Sequence, residues 1–120
     1  TSIVSLNMQG MPLTNEDLDI IVQFSNLQKV NLNSTKLNIG SLEVLKSLEN
    51  LKSVSICGID FNAAELDKFL DKAKFSSLNI WNQKTDKEQI EKIIAKYPNI
   101  EIIAGDNLED EIMKITNSKI

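Results

Sequence analysis

A 24-residue periodicity constrains the fold of this chain more than any other feature. The segments LQKVNLN from Leu27, LKSVSIC from Leu51 and FSSLNIW from Phe75 start 24 residues apart, and each carries apolar residues at its first, fourth and sixth positions. The same form appears 24 residues earlier in IVSLNMQ from Ile3, and 25 residues after Phe75 in IEIIAGD from Ile100. Self-similarity at a fixed interval is typical of repeat architectures.

Three further apolar columns appear when each unit is numbered from its first apolar residue. They are Leu13, Leu37, Phe61 and Thr85 at position eleven, Leu18, Leu42, Leu66 and Ile90 at position sixteen, and Ile21, Leu45, Phe69 and Ile93 at position nineteen. In four full units the six columns hold 23 apolar residues in 24 places, whereas a chain that is 42% hydrophobic would fill about ten by chance.

The spacing within a unit indicates a strand followed by a helix. Apolar residues two apart at positions four and six predict a short strand with one buried face, while positions sixteen and nineteen have helical spacing. Position twelve carries residues that cap helix N-termini well, namely Thr14, Asn38, Asn62 and Asp86. Two of them, in the pairs Asn62–Glu65 and Asp86–Gln89, have the form of a reciprocal capping box.

Units this short cannot bury an apolar face alone, so stacked neighbours must build the core. We predict one α/β domain over residues 1–120, a right-handed leucine-rich repeat solenoid of about five units with a parallel sheet on its concave face and helices on its convex face. The alternative is an ordinary α/β domain with coincidental spacing, but 24 residues leave little room for a strand, a helix and two loops.

The two ends of the array lead to different expectations. A helix within residues 106–120 is predicted to cap the C-terminal end, whereas the strand near Ile3 has no comparable cap. The chain also begins at Thr1 without Met or a signal sequence. We therefore expect a fragment of a longer protein, with either more protein before the first strand or two copies meeting at that edge.

The final unit, residues 78–105, resembles the closing repeat of a bacterial leucine-rich repeat family, which runs strand, W-x-x-K-T, helix and P-x-[IV]-x-[IV]-x-x-G. The matching residues are Trp81, Lys84, Thr85, Pro98, Ile100, Ile102 and Gly105. The G-T-x-[IV]-T motif usual before each helix is degraded, since residues 33–38 keep its Thr and residues 58–62 do not. The resemblance implies an extracytoplasmic domain of exported Bacteroidetes or Planctomycetes proteins, often placed after a membrane-associated c-type cytochrome domain.

Residues between the buried strand positions should line the concave face. Columns three, five and seven place there our candidate binding residues, Lys29, Asn31, Asn33, Ser53, Ser55, Cys57, Ser77, Asn79 and Trp81. The same columns contain Ser5, Asn7 and Gln9 in the first unit and, by the 25-residue step, Ile102, Ala104 and Asp106 in the last. The Ser and Asn side chains either bind a polar peptide or sugar or only solvate the sheet. Trp81 is either a contact anchor or a shield over the last strands, and Cys57 is either a reactive thiol or a small half-buried residue.

Composition argues against several function classes. The chain has no His and one Cys, which removes the commonest general base and metal ligand and excludes an internal disulfide. A net charge of −4 with Lys as the sole basic residue type disfavours nucleic-acid binding, and no apolar run approaches the roughly 18 residues of a membrane helix. Acidic residues cluster at predicted helix starts, where the helix dipole favours them, although calcium binding by residues 106–111 is an alternative.

We therefore expect a non-catalytic module, without cofactor or metal, that binds a protein partner through its concave face. The alternative is a structural or docking appendage of an exported c-type cytochrome or related redox protein, with an upstream domain of the same chain as its partner.

Overall fold

Five short strands form one parallel sheet in a computed structural model of the chain, which describes residues 3–81 and 86–104. The strands are β1 (Ser5–Asn7), β2 (Lys29–Asn31), β3 (Ser53–Ser55), β4 (Ser77–Asn79) and β5 (Glu101–Ile103). They lie side by side in chain order. Every neighbouring pair is in register at an offset of 24 residues, so that Leu6 lies opposite Val30 and Val54 lies opposite Leu78. The predicted parallel sheet is confirmed.

Four helical segments alternate with the strands. They are α1 (Asn15–Ile21), a 3₁₀ helix (Ile39–Ser47), α2 (Ala63–Leu70) and α3 (Lys87–Lys96). Each begins after the predicted cap, and the side chains of Thr14, Asn38 and Asn62 accept from the backbone N–H three residues on. The reciprocal box forms at Asn62, as predicted, and also at Thr14.

The start of α3 differs from the prediction. The Asp86 carboxylate accepts from the backbone N–H of Glu88 at 2.9 Å, two residues on, rather than pairing with Gln89. The backbone of Asp86 has φ −56° and ψ 127°, whereas Asn62 has φ −102° and ψ 173°. This different entry into the helix directs the carboxylate to a nearer amide.

The second helix is a 3₁₀ helix whose apolar residues keep one spacing throughout. Ile39, Leu42 and Leu45 are buried at intervals of three, which matches three residues per turn. In α2 the buried residues Leu66 and Leu70 are four apart, a spacing that the α-helix places on one face.

One core lies between the sheet and the helices. Leu32 and Ile56, which follow β2 and β3, are completely buried in it. The ring of Phe69 from α2 packs against Phe75, with ring centroids 5.4 Å apart. The strands therefore have one dry face toward the helices and one face, called here the open face, formed by the side chains of positions three, five and seven.

The last unit corrects the sequence-based register. Ile102 and Ala104 were predicted on the open face, but Ile102 lies opposite Leu78 in the core and Ala104 packs against that core. The open face instead receives Ile103, which is 41% exposed. The Ile100 N–H bonds to the carbonyl three residues earlier, as at other unit starts. Here, however, β5 begins one residue later instead of two, which cancels the insertion.

Several predicted features fall outside the described residues. These are the capping helix within residues 106–120, the acidic segment 106–111, and Lys84, Thr85, Gly105 and Asp106.

Candidate binding surface

The structure brings all nine candidate binding residues to the open face. Lys29 and Trp81 are exposed there, whereas the Asn, Ser and Cys residues between them are half-buried. They are neighbours because the parallel register stacks each column across adjacent strands, about 4.8 Å apart.

The asparagines of column five end the strands. Each accepts a hydrogen bond from the backbone N–H two residues later, which is the geometry of an Asx turn. The bonds are Gln9 to Asn7 at 3.1 Å, Asn33 to Asn31 at 2.9 Å and Trp81 to Asn79 at 3.4 Å. These side chains therefore stabilise the turn that follows the strand.

The third unit carries Ser55 in column five, so the backbone N–H of its turn bonds to a residue of another unit. Asn33, from the neighbouring unit, accepts from the Cys57 backbone N–H and from the Ser55 hydroxyl, both at 2.7 Å. The Cys57 thiol in turn donates to the Asn79 side-chain oxygen at 3.2 Å. Columns five and seven thus bind one another across the sheet, which favours a structural role for much of their polarity.

Column three is different. Its members are Ser5, Lys29, Ser53, Ser77 and Glu101. Within residues 3–81 and 86–104 their side chains form no hydrogen bond or ion pair. Lys29 on β2 and Glu101 on β5 therefore flank the hydroxyls of Ser53 and Ser77, which can bond to a ligand.

Two exposed apolar side chains lie at the end of the open face formed by β4 and β5. Trp81 is 58% exposed and follows β4, while Ile103 lies on β5 opposite Asn79. The sequence pattern identified Trp81 but missed Ile103. Counting the last strand from Ile100, 25 residues after Phe75, shifted its predicted register by one residue. Aligning EII with SLN at an offset of 24 would have found it.

A second polar cluster joins α2 to the end of α3 on the helical side. Lys96 Nζ lies 3.0 Å from both carboxylate oxygens of Asp67, and the Tyr97 hydroxyl donates to the same carboxylate. The Tyr97 bond, followed by the one from Lys96, lowers the pKa of Asp67, and the bond to Asp67 raises the pKa values of Tyr97 and of Lys96. The carboxylate is thereby held ionised and the phenol protonated, which suits a joint between units better than proton transfer.

This joint borders a cleft of about 530 Å³ that is also lined by Ala64, Lys68 and Asp71. Residues 3–81 and 86–104 contain no group of three or more His, Cys, Asp or Glu that could hold a metal ion. In that same part of the chain, no helix is long and apolar enough to cross a membrane.

Comparison with known proteins adds no assignment: no protein-family model matches the chain, and a search of curated proteins gives no match.

Proposed function

We propose that this chain is a leucine-rich repeat solenoid that binds a protein partner through its open, concave face and has no catalytic role. The 24-residue offset between successive parallel strands and the alternation of strands with helices support the fold. The observation that carries the function is the exposed pair Trp81 and Ile103 beside a row of polar side chains. Apolar anchors beside polar side chains match the composition of binding hot spots.

The anchor supplies most of the affinity in this proposal. A Trp side chain buries 150–250 Å² when fully covered, and 58% of Trp81 remains to be covered. At about 25 cal/mol per Å², covering it contributes roughly 3 kcal/mol, or about a hundredfold in affinity. Ser53 and Ser77 provide hydrogen bonds, and the opposite charges of Lys29 and Glu101 select the orientation of the partner.

The resemblance of residues 78–105 to a bacterial closing repeat supports an extracytoplasmic location for this module. It also supports the second candidate function, a docking appendage of an exported cytochrome or related redox protein. The exposed apolar side chains at the β1 end, such as Ile3, favour that role because they offer a separate surface to a neighbouring domain.

Photo-crosslinking tests the first function. A benzophenone amino acid at Ser77 should give a discrete crosslinked product with proteins of the native host, whereas the same group at Lys92, exposed on α3, should not. Trp81→Ala should remove the Ser77 product while circular dichroism still shows a folded protein, since the side chain is largely exposed. Lys92→Glu is the matched surface control.

Equal labelling from Ser77 and Lys92, or a product that survives Trp81→Ala, would contradict binding through the open face. If the product instead depends on side chains of the β1 end, the docking role is the better account.

A further inference from the structure

At the β1 end of the sheet, apolar side chains are exposed at positions that are buried in the inner units. Position one is 36% exposed at Ile3 but completely buried at Leu27, and position nine is 45% exposed at Met11 but 1% exposed at Ile59. Leu6 and Met8 of the first unit are also only half-buried. The first unit therefore presents an apolar surface made of the same columns that bury one another between inner units.

Two residues extend this surface beyond the core columns. Val4 is 46% exposed at position two, where the later units carry Gln28, Lys52 and Ser76. Ile20 is 56% exposed at position eighteen, where the second unit carries Val44, 38% exposed, and α2 and α3 carry lysines. Residues at positions two and eighteen are exposed to solvent in every described unit, so the core does not require apolar side chains there.

The helix geometry assigns Ile20 to the β1 end. Position nineteen faces the core, and position twenty faces the next unit, since Lys46 Nζ reaches the carbonyls of Lys68 and Asp71 at 3.1 and 2.6 Å. Position eighteen lies about 100° to the other side of position nineteen and so faces away from the next unit. Ile20 thus lies on the same side of the molecule as β1.

The backbone of β1 offers hydrogen bonds at that edge. Val4 accepts from Lys29, and Met8 donates to Asn31, so these residues direct their groups to β2. Alternate residues of a parallel strand direct their N–H and C=O groups to opposite sides. Ser5 and Asn7 therefore direct theirs outward, and in the described sheet β2 is the one neighbour of β1.

Charge indicates what this edge would bind. Residues 3–26 contain Glu16, Asp17 and Asp19 and no Lys, whereas residues 27–50 contain three Lys and two Glu. At position seventeen, Glu43 pairs with Lys46 at 2.9 Å and Asp67 pairs with Lys96 at 3.0 Å. Asp19 occupies this position and so faces the next unit. Glu16 lies four residues before Ile20, on the same helix face, and within the described ranges it has no ion pair. It therefore leaves unmatched negative charge at this end.

We infer that the β1 edge binds a basic, extended polypeptide segment by adding it as a further strand. Main-chain bonds would come from Ser5 and Asn7, apolar contacts from Val4 and Ile20, and charge pairing from Glu16. A second copy of the chain is a poorer occupant, since two such ends would bring negative charges together without a basic residue.

A designed peptide pair tests this inference independently of the open face. The probe is a capped ten-residue peptide of alternating Val and Lys, and its control alternates Val and Glu. Titration of the full chain, followed by amide NMR, should shift residues 3–8 and 16–20 and slow hydrogen exchange at Ser5 and Asn7. The Val/Glu peptide should bind at least tenfold more weakly, and added salt should weaken the Val/Lys complex.

Variants locate the binding. Glu16→Lys and Ile20→Lys should each reduce affinity for the Val/Lys peptide about tenfold, whereas Glu88→Lys, at the equivalent position of α3, should not. All three sites are exposed, so circular dichroism should show folded proteins. Equal binding of both peptides, shifts confined to the open face, no binding, or a concentration-dependent dimer lost in Ile20→Lys would each overturn the inference. Loss of open-face crosslinking by Trp81→Ala would leave it unaffected.

Discussion

Replacing Asn33 with Ala tests whether the polar columns of the open face are structural. Asn33 accepts two 2.7 Å bonds from the next unit, from the Ser55 hydroxyl and from the Cys57 backbone N–H. A lost bond costs roughly 1 kcal/mol, and a half-buried N–H left without a partner costs about 1–3 kcal/mol. We therefore expect Asn33→Ala to lower the free energy of unfolding by about 2 kcal/mol.

Urea unfolding followed by circular dichroism measures this loss, which should lower the midpoint by about 1 M at the slopes usual for small domains. Asn33→Asp keeps the acceptor and should cost less. Ser53 lies on the same face, and its side chain forms no hydrogen bond within the described residues, so Ser53→Ala should change stability by less than about 0.5 kcal/mol.

A rescue variant makes the test specific. Ser55→Asn in the Asn33→Ala background supplies the Asx-turn acceptor that Asn31 provides one unit earlier, at 2.9 Å. It should recover about 1 kcal/mol of the loss. An Asn33→Ala protein as stable as Ser53→Ala would refute the claim that this column holds the strand ends together.

Three further predictions concern the core, the turns and the joint between helices. Leu66 is completely buried, so Leu66→Ala should cost about 2–5 kcal/mol in urea unfolding, and a loss below 1 kcal/mol would contradict the packing. Gly58 and Gly10 both have positive φ, +82° and +74°, so replacing Gly10 with Ala should cost about 1 kcal/mol of stability. Gly58→Ala should cost more, because there the new Cβ would also lie 3.3 Å from the hydroxyl oxygen of Ser34. The lowered pKa of Asp67 predicts stability that is present at neutral pH and lost as pH falls below about 4, and the raised pKa of Tyr97 predicts a further loss as pH rises beyond about 10. Unfolding measured from pH 3 to 11 should show that Tyr97→Phe reduces the alkaline loss, the remainder coming from the raised pKa of Lys96, and an unchanged profile would contradict the bond.

The strands, the helix starts and the dry face could be predicted because each depends on local chemistry repeated four times. A pattern that arose by chance in one unit would not recur at the same positions in the other three. The caps Asn38 and Asn62 needed only a side-chain oxygen at the right interval, and the structure places both as predicted.

The last unit could not be predicted in the same way because two compensating changes fall close together. Counting from Ile100 shifts every later residue by one, and a shift of one residue exchanges the two faces of a strand. The structure restores the register before β5, which moves Ile102 into the core and Ile103 onto the open face.

Contacts between units were also beyond the sequence pattern. The bond from Cys57 to Asn33 depends on a Ser replacing Asn at one position, and the joint of Asp67 with Tyr97 depends on how α2 packs beside α3. Residue types alone did not distinguish these partners from the many other polar residues on the surface.

Hydrogen bonds between units provide the most direct test of the repeat itself. NMR scalar couplings across hydrogen bonds should connect the amide nitrogen at position six of each unit with the carbonyl at position five of the next. The predicted pairs are Met8 with Asn31, Leu32 with Ser55, Ile56 with Asn79, and Ile80 with Ile103, at nitrogen–oxygen distances of 2.8 to 2.9 Å. All four couplings at the constant offset of 23 residues would support the account, and couplings that join antiparallel or non-consecutive strands would contradict it.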